Sequence, residues 1–312
     1  MQGAPLVTGA TGFAGSHLVD RLAAAGAVYA LARAGGQPPA LRPGVLWLEV
    51  DLLDRNAVRR ALETARPSVI YHCAGFAHVQ DAWKTPARAL RVNVLGTHHL
   101  IEACRDLGLT CRICVAGSAQ VYAPAVDAIT EDARLAPDNP YGISKLAQEL
   151  TAEASGLPVV LARPFNHAGP RQAPTYASSG FAQQIAAIEA GRAEPVLHVG
   201  NLESRRDITD VRDTVRAYEA LARTGVPLRP YNVCSGRACS MREILDILLS
   251  LARVRVRIEV DPSRLRPSDN PVILGSHDRL TADTGWRPEI PLERTLADLL
   301  DYWRGREAHS PS

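Results

Sequence analysis

Through the first half of the chain, short apolar runs alternate with longer stretches whose apolar residues recur every three or four positions. Residues 5–8, 27–33, 45–50, 68–73, 112–116 and 159–162 have the compact apolar character of buried strands. Residues 15–25, 55–65, 87–107 and 141–153 have the spacing of amphipathic helices. Strand and helix in regular alternation predict repeated βαβ units, hence an α/β fold: a doubly wound parallel sheet with helices on both faces. Helices 87–107 and 141–153 are expected to pack face to face, and residues 37–43 to form a turn-rich loop. After Arg163 the rhythm breaks into Pro- and Gly-rich connections, with helices predicted at 180–190, 212–222, 241–251 and 292–302. Residues 230–234 read as one more strand of the first sheet, so the chain is expected to leave that sheet and return to it.

The first strand runs directly into Gly9-Ala10-Thr11-Gly12-Phe13-Ala14-Gly15 and then a helix. Glycines at 9, 12 and 15 suit a tight turn, a backbone that a pyrophosphate can approach, and a helix pressed onto its strand. A helix N-terminus at that point faces the phosphates. This context predicts a Rossmann-type dinucleotide site that includes Gly9, Thr11, Gly12, Phe13 and Gly15. Residues 1–165 then form the dinucleotide-binding domain, and residues 166–312 mainly a smaller α/β lobe for the substrate. An acidic residue closing the second strand would accept from the adenosine ribose of NAD. Here the chain has Ala32-Arg33, and an arginine can pair with a 2′-phosphate, which favours NADP(H) and leaves NAD(H) open. Asp51, with Leu52 beside it, is placed to meet the adenine, and Ala74 and Gly75 leave room for ribose and phosphates. Asn93 is a polar residue on an otherwise buried helix; it needs a hydrogen-bond partner, which a backbone carbonyl near the site would supply, and it is expected among the cofactor contacts.

Tyr141 and Lys145 stand four apart, on one face of the helix that follows Asn139-Pro140. An unaided tyrosine titrates near pH 10; a neighbouring ammonium and an oxidised nicotinamide would favour the phenolate. Ser118, at the end of the fifth strand, can hold the same substrate oxygen. Together the three residues orient a carbonyl for hydride addition, with Tyr141 protonating the alkoxide and Lys145 also anchoring the nicotinamide ribose. A non-catalytic dinucleotide sensor is a competing possibility, and its usual mark would be loss of the tyrosine or the lysine.

Ser118, Tyr141, Lys145 and the glycine turn resemble the extended short-chain dehydrogenase/reductase superfamily, in its nucleotide-sugar branch of epimerases, 4,6-dehydratases and 4-ketoreductases. Within that branch the likeness is to its GDP-sugar members. It extends through Arg163-Pro164-Phe165-Asn166-His167-Ala168-Gly169-Pro170, Val199-Gly200-Asn201-Leu202-Glu203, residues 206–213 and Leu265-Arg266-Pro267-Ser268-Asp269. The resemblance implies that Arg163 joins the cofactor contacts and that Asn166 meets the sugar or diphosphate. It implies Arg206 and Arg266 on the diphosphate, Asn201 on the nucleotide and Asp269 on a ribose or base group. An ion pair of Arg206 with the adjacent Asp207 is the competing structural account; His167 and His198 read as structural. The superfamily's 4,6-dehydratases carry a glutamate where this chain has Gln120 in Ser118-Ala119-Gln120. Removing water across C5 and C6 needs an acid and a base, which neither Ala119 nor a neutral amide supplies. The resemblance therefore implies a 4-ketoreductase for a GDP-linked 4-keto-6-deoxyhexose, with Gln120 free to contact the sugar. A 4-epimerase or 4,6-dehydratase of the same superfamily is the alternative. Such enzymes often form homodimers through a four-helix interface, for which helices 87–107 and 141–153 are suited.

Composition narrows the partners further. With 35 Lys and Arg against 33 Asp and Glu the formal charge is +2, and no basic block forms a stripe for nucleic acid. No apolar run approaches a membrane span, and the N-terminus enters an apolar strand without a charged segment and cleavage site, so a cytoplasmic location is expected. Cys111 and Cys114 form a C-x-x-C, but Cys114 opens an apolar strand and no second pair has metal spacing, so no metal site is expected.

Overall fold

The computed structural model describes residues 3–36, 42–264 and 270–308. Seven parallel strands form the main sheet: β1 (Leu6–Thr8), β2 (Val28–Ala32), β3 (Val45–Glu49), β4 (Val69–His72), β5 (Arg112–Ala116), β6 (Val159–Pro164) and, much later in the chain, β10 (Pro230–Val233). Their order is β3-β2-β1-β4-β5-β6-β10, the doubly wound arrangement with a switch point beside β1. Strand residues alternate between the two faces. Leu6 packs on one side with α2 (Arg55–Ala65) and α5 (Gly96–Asp106); Val7 packs on the other with α1 (Phe13–Ala23), α8 (Val211–Thr224) and α10 (Asp278–Thr284). Two later helices, α8 and α10, thus complete the first sheet's covering layer, with Tyr218, Leu280 and Trp286 in that core.

The expected helix over 87–107 forms and carries one widened turn. α3 (Val79–Lys84) and α4 (Pro86–Leu90) lead into a π turn over Arg91–Leu95, and α5 follows. Thr97 Oγ1 donates to the Asn93 carbonyl at 2.6 Å inside that turn, and the Asn93 side chain is drawn to the Phe76 backbone. The widened turn follows from these competing bonds and lies beside the cavity described below. It packs on α6 (Pro140–Glu153), with Asn93 bonded to Ser144 and Thr97 to Gln148.

The second half holds short strands that its sequence pattern does not announce. β9 (Arg205–Asp210) pairs with β7 (Asn166–Ala168), β11 (Ala238–Ser240) and β13 (Val272–Ile273), and β8 (Val196–Val199) pairs with β12 (Arg257–Val260). β9 reads Arg-Arg-Asp-Ile-Thr-Asp, so apolar alternation fails to mark it. A third core joins this lobe, in which α7 (Ala177–Glu189), α9 (Met241–Ser250) and α11 (Leu292–Ala308) bury Phe181, Leu245 and Leu299. Local signals set the helix starts. Ser240 and Glu243 form a reciprocal capping box on α9, Asp210 caps α8 and Asp54 caps α2. Cys114 lies in the sheet core, and the thiol nearest Cys111 is that of Cys104 on α5. Among the described residues no helix is long and apolar enough to cross a membrane.

Candidate active site

A cavity of about 1650 Å³ opens at the C-terminal ends of β1, β2, β4 and β5 and extends between the main sheet and the second lobe. One small ligand needs roughly 300–1,000 Å³, so this volume suits two ligands end to end.

The β1–α1 turn forms one wall. Gly9 has φ +65°, and a Cβ there would lie 2.7 Å from the Ala74 backbone; a Cβ at Gly15 would lie 2.1 Å from the Gly9 carbonyl. Both positions therefore exclude side chains, while Gly12 is exposed on the cavity. Helix α1 begins without a side-chain cap or an acidic residue in its first turn, leaving amide donors for an anion. Thr11 and Phe13 line the same wall, and Phe13 stacks on His167 of the opposite lobe, with centroids 5.4 Å apart and planes 5° apart. Arg33 is exposed on the rim just after β2, and among the described residues no hydrogen bond or ion pair engages its side chain. Asp51 lies beyond β3, its carboxylate accepting from the Leu53 amide at 2.9 Å, with Leu52 buried beside it. Ala74 and Gly75 follow β4 on the floor. These residues fit a dinucleotide: a backbone approach without Cβ atoms, a bare helix N-terminus and an unpaired guanidinium.

Tyr141, Lys145, Ser118 and Gln120 meet on the neighbouring wall. Asn139 caps α6 by accepting from the Gly142 amide at 2.9 Å, and Pro140 occupies the first turn. A Cβ at Gly142 would lie 2.3 Å from the Gln120 carbonyl, so that glycine lets the turn after β5 press against α6. Ser118 thereby comes within hydrogen-bond reach of the Tyr141 hydroxyl. Burial pushes the Tyr141 phenol up to about 12, against the lowering effect of the Ser118 hydrogen bond. Burial also brings the Lys145 ammonium down to about 8, opposed by Glu149 and Cys73. A phenol held up in this way suits a proton donor, the role expected of Tyr141. Lys145 Nζ donates to the Ala116 carbonyl at 2.6 Å and to Gln148 Oε1 at 2.7 Å. The Gln120 amide oxygen accepts from Asn139 Nδ2 at 3.0 Å.

Two expected cofactor contacts are corrected. Arg163 is buried outside the cavity lining, donating to Glu149 Oε2 at 2.8 Å and to Tyr122 Oη at 2.9 Å. Its burial against the Glu149 carboxyl group leaves it no face toward a ligand. Asn93 is fully buried behind the cavity wall; its Oδ1 accepts from the Phe76 amide and its Nδ2 donates to Ser144 Oγ. It fastens the Gly75-Phe76 segment to α6 rather than touching a ligand.

In the second lobe Asn166, Asn201 and Arg206 line the far part of the cavity. Arg206 and Asp207 are adjacent on β9 and point oppositely. Asp207 is fully buried, accepting from Ser235 and from the Gly236 and Gly275 amides, so the ion pair with Arg206 does not form. Arg266 and Asp269 lie outside the described residues. Sequence reasoning missed His78, Tyr176 and Arg264, all on the lining. Tyr176 and His78 meet edge to face at 5.6 Å, and nothing in their spacing links residues almost a hundred apart. His167, read as structural, also faces the cavity.

A family model described as GDP-mannose 4,6 dehydratase matches residues 6–299. The GDP-6-deoxy-D-mannose reductase of Pseudomonas aeruginosa is 36% identical over 310 residues, covering 96% of this chain and 97% of its own. A solved structure described as RMD from Pseudomonas aeruginosa complexed with NADPH superposes with a TM-score of 0.85 at 33% identity, over 98% of this chain and 100% of that one. The UDP-glucose 4-epimerase of Thermus thermophilus, solved with NAD, gives a TM-score of 0.85 at 30% identity, over 97% and 99%.

Proposed function

Since the chain belongs to the GDP-mannose 4,6 dehydratase family, we propose that it is a 4-ketoreductase that receives a dehydratase product. It would convert GDP-4-keto-6-deoxy-D-mannose to a GDP-6-deoxyhexose such as GDP-D-rhamnose, with NADPH preferred and NADH usable. The observation that carries this reading is the wall formed by Ser118, Tyr141 and Lys145, with an amide at Gln120 where dehydration would need a carboxyl group.

When bound, the reduced nicotinamide supplies the hydride that turns the ketone carbon into a secondary alcohol. Ser118 Oγ and Tyr141 Oη hold the 4-keto oxygen between them. As negative charge develops on that oxygen, Tyr141 gives up its proton to it. Lys145, charged below about pH 8, stabilises the tyrosinate left behind and returns to the resting state when a solvent proton restores the phenol. The glycine turn and the α1 N-terminus hold the dinucleotide's pyrophosphate, and Arg33 meets its 2′-phosphate. Arg206, Asn166 and Asn201 hold the sugar nucleotide at the other end; Arg206 supplies charge-assisted bonds to its diphosphate.

The similarity to a reductase solved with NADPH supports the cofactor preference. The enzyme would work in the cytoplasm, in keeping with six cysteines that are all free thiols. It would act as a homodimer: Leu90 and Leu95 flank the π turn, Ile143 and Leu150 stand on the α6 helix that packs against it, and all four apolar side chains are 38–55% exposed. Turnover is tested by mixing the protein with GDP-4-keto-6-deoxymannose and following the reduced-nicotinamide absorbance with NADPH and NADH separately. Stoichiometric loss, faster with NADPH, is expected. Loss only with a dTDP- or UDP-linked ketosugar would overturn the nucleotide, and no loss with any ketosugar would overturn the reaction.

A further inference from the structure

Behind the catalytic wall a chain of buried hydrogen bonds joins Lys145 to the dinucleotide turn, and every donor in it is fixed by chemistry. The Lys145 ammonium can only donate, so the group it meets at 2.7 Å is Gln148 Oε1, and Gln148 Nε2 must then donate to Thr97 Oγ1 at 3.0 Å. The Thr97 hydroxyl has one hydrogen, committed to the Asn93 carbonyl at 2.6 Å. Thr97 Oγ1 therefore accepts from His72 Nε2 at 2.8 Å. At the other end the Ala74 amide donates to Thr8 Oγ1 at 3.1 Å, and Thr8 Oγ1 lies 2.8 Å from His72 Nδ1. With Nε2 protonated and an ammonium nearby, a buried imidazole carries no second proton, so the Thr8 hydroxyl donates to Nδ1. Thr8, His72, Thr97 and Gln148 are each at most 1% exposed, whereas Lys145, Thr8 and Ala74 reach the cavity.

We propose that His72, held as its neutral Nε2–H tautomer, is a positioning residue for Lys145, which it fixes through Thr97 and Gln148 relative to the Thr8–Ala74 wall of the dinucleotide site. The proposal rests on the reading of Tyr141 and Lys145 as a reductase pair. A flexible four-carbon side chain can place its charge in many positions. Anchoring Gln148 from the opposite side leaves its Oε1 one orientation, so the ammonium stays where the tyrosine and the cofactor ribose need it. The strand end that shapes the floor of the dinucleotide site and the helix that carries the catalytic lysine thus share one set of bonds. The ionisable groups around Lys145 are Glu149 on its own helix, Tyr141 one turn earlier, and His72 and Cys73 at the end of β4.

The test compares Gln148→Met, Thr97→Val and Thr97→Ser with the wild type, in turnover and in isotope-labelled imidazole NMR. Gln148→Met keeps side-chain length and removes an acceptor that favours the ammonium. It should cut kcat about tenfold, leave the KM for the sugar nucleotide within about twofold, and move the alkaline limb of the pH profile about one pH unit lower. Thr97→Val should behave in the same way, with Thr97→Ser restoring most of the activity. If Thr97→Val fails to fold, Gln148→Met and the NMR measurement decide. The His72 resonance should show a proton on Nε2 throughout neutral pH and should shift in Gln148→Met. A His72 that carries its proton on Nδ1 or titrates near its ordinary value, or variants with wild-type kcat and pH limb, would overturn the proposal. A wild type that reduces no ketosugar would instead overturn the reductase reading, while the NMR arm would still judge the chain of bonds.

Discussion

Arg163 and Glu149 form a buried ion pair one helical turn beyond the catalytic lysine. Arg163 Nε and Nη2 reach Glu149 Oε2 at 3.0 and 2.8 Å, with side chains 4% and 1% exposed. Burial pushes the Glu149 carboxyl up, and the Arg163 hydrogen bonds oppose that shift. A Cβ at Gly117 would lie 2.6 Å from Glu149 Oε1, so this pair also sets the position of the residue before Ser118. Removing one partner leaves the other charge buried and unpaired, which costs about 3–5 kcal/mol. Arg163→Met should lower stability in urea by that order while Kd for NADPH in the folded fraction changes little. A large loss of NADPH affinity at unchanged stability would return Arg163 to the cofactor site.

Tyr141→Phe keeps the ring and removes the proton. Turnover should fall by about 10²–10⁴-fold, with NADPH binding, followed by fluorescence, close to wild type. Unchanged turnover would end the assignment of Tyr141 as the acid.

The pH profile of kcat should fall as pH rises through about 8, where Lys145 loses its charge. Tyr141, held near 12, adds no limb at lower pH. A flat profile from neutral to mildly alkaline pH would separate Lys145 from the reaction.

Two buried histidines give the stability a sign. Burial, with Arg171 adding to it, lowers His17 to about 4, and burial with Lys145 nearby lowers His72 to about 3. Both folded values lie below the unfolded value of 6.5, so on acidification the unfolded chain takes up these protons first. Their contribution is complete above about pH 6.5 and is lost as pH falls through the folded values. The thermal midpoint should drop from pH 6.5 toward 4, less steeply in His17→Asn than in wild type. An equal slope in the two proteins would contradict the shift at His17.

Arg33→Asp replaces the exposed guanidinium with a ribose acceptor. The kcat/KM ratio of NADPH to NADH should fall by about tenfold or more. An unchanged ratio would show that Arg33 does not read the 2′-phosphate.

Ile143→Glu combined with Leu150→Glu should convert a dimer to a monomer by light scattering, since two charges would enter an apolar helix face. A wild-type monomer at micromolar concentration would refute the dimer itself.

The parts of this architecture that were legible in the sequence are those governed by local rules. Gly9, Gly12 and Gly15 lie between a strand and a helix they themselves shape, and Tyr141 and Lys145 share a helix face because of their spacing alone. Long-range pairing hid the rest. His72 looks like any residue of an apolar strand until Thr8 and Thr97 are brought to its two nitrogens. Asn93 was recognisable as needing a backbone carbonyl near the site, and the Phe76 carbonyl is that partner; what the pattern could not show is that the same bonding widens one turn of a helix it drew as regular. Arg163 occurs in a segment shared with relatives, and its likeness carried no information about which way the side chain points. β9 escaped notice because its charged residues serve opposite purposes on its two faces, Arg206 toward the cavity and Asp207 toward buried amides.

The most direct test of the central claim is the fate of the hydride. Incubation of the protein with GDP-4-keto-6-deoxymannose and NADPH deuterated at the transferable position should yield a GDP-6-deoxyhexose carrying one deuterium at C4, with one NADP⁺ formed per sugar, and Tyr141→Phe should yield almost none. A sugar product without deuterium at C4, or one formed without net oxidation of NADPH, would contradict the account and point to an enzyme that recycles its own cofactor.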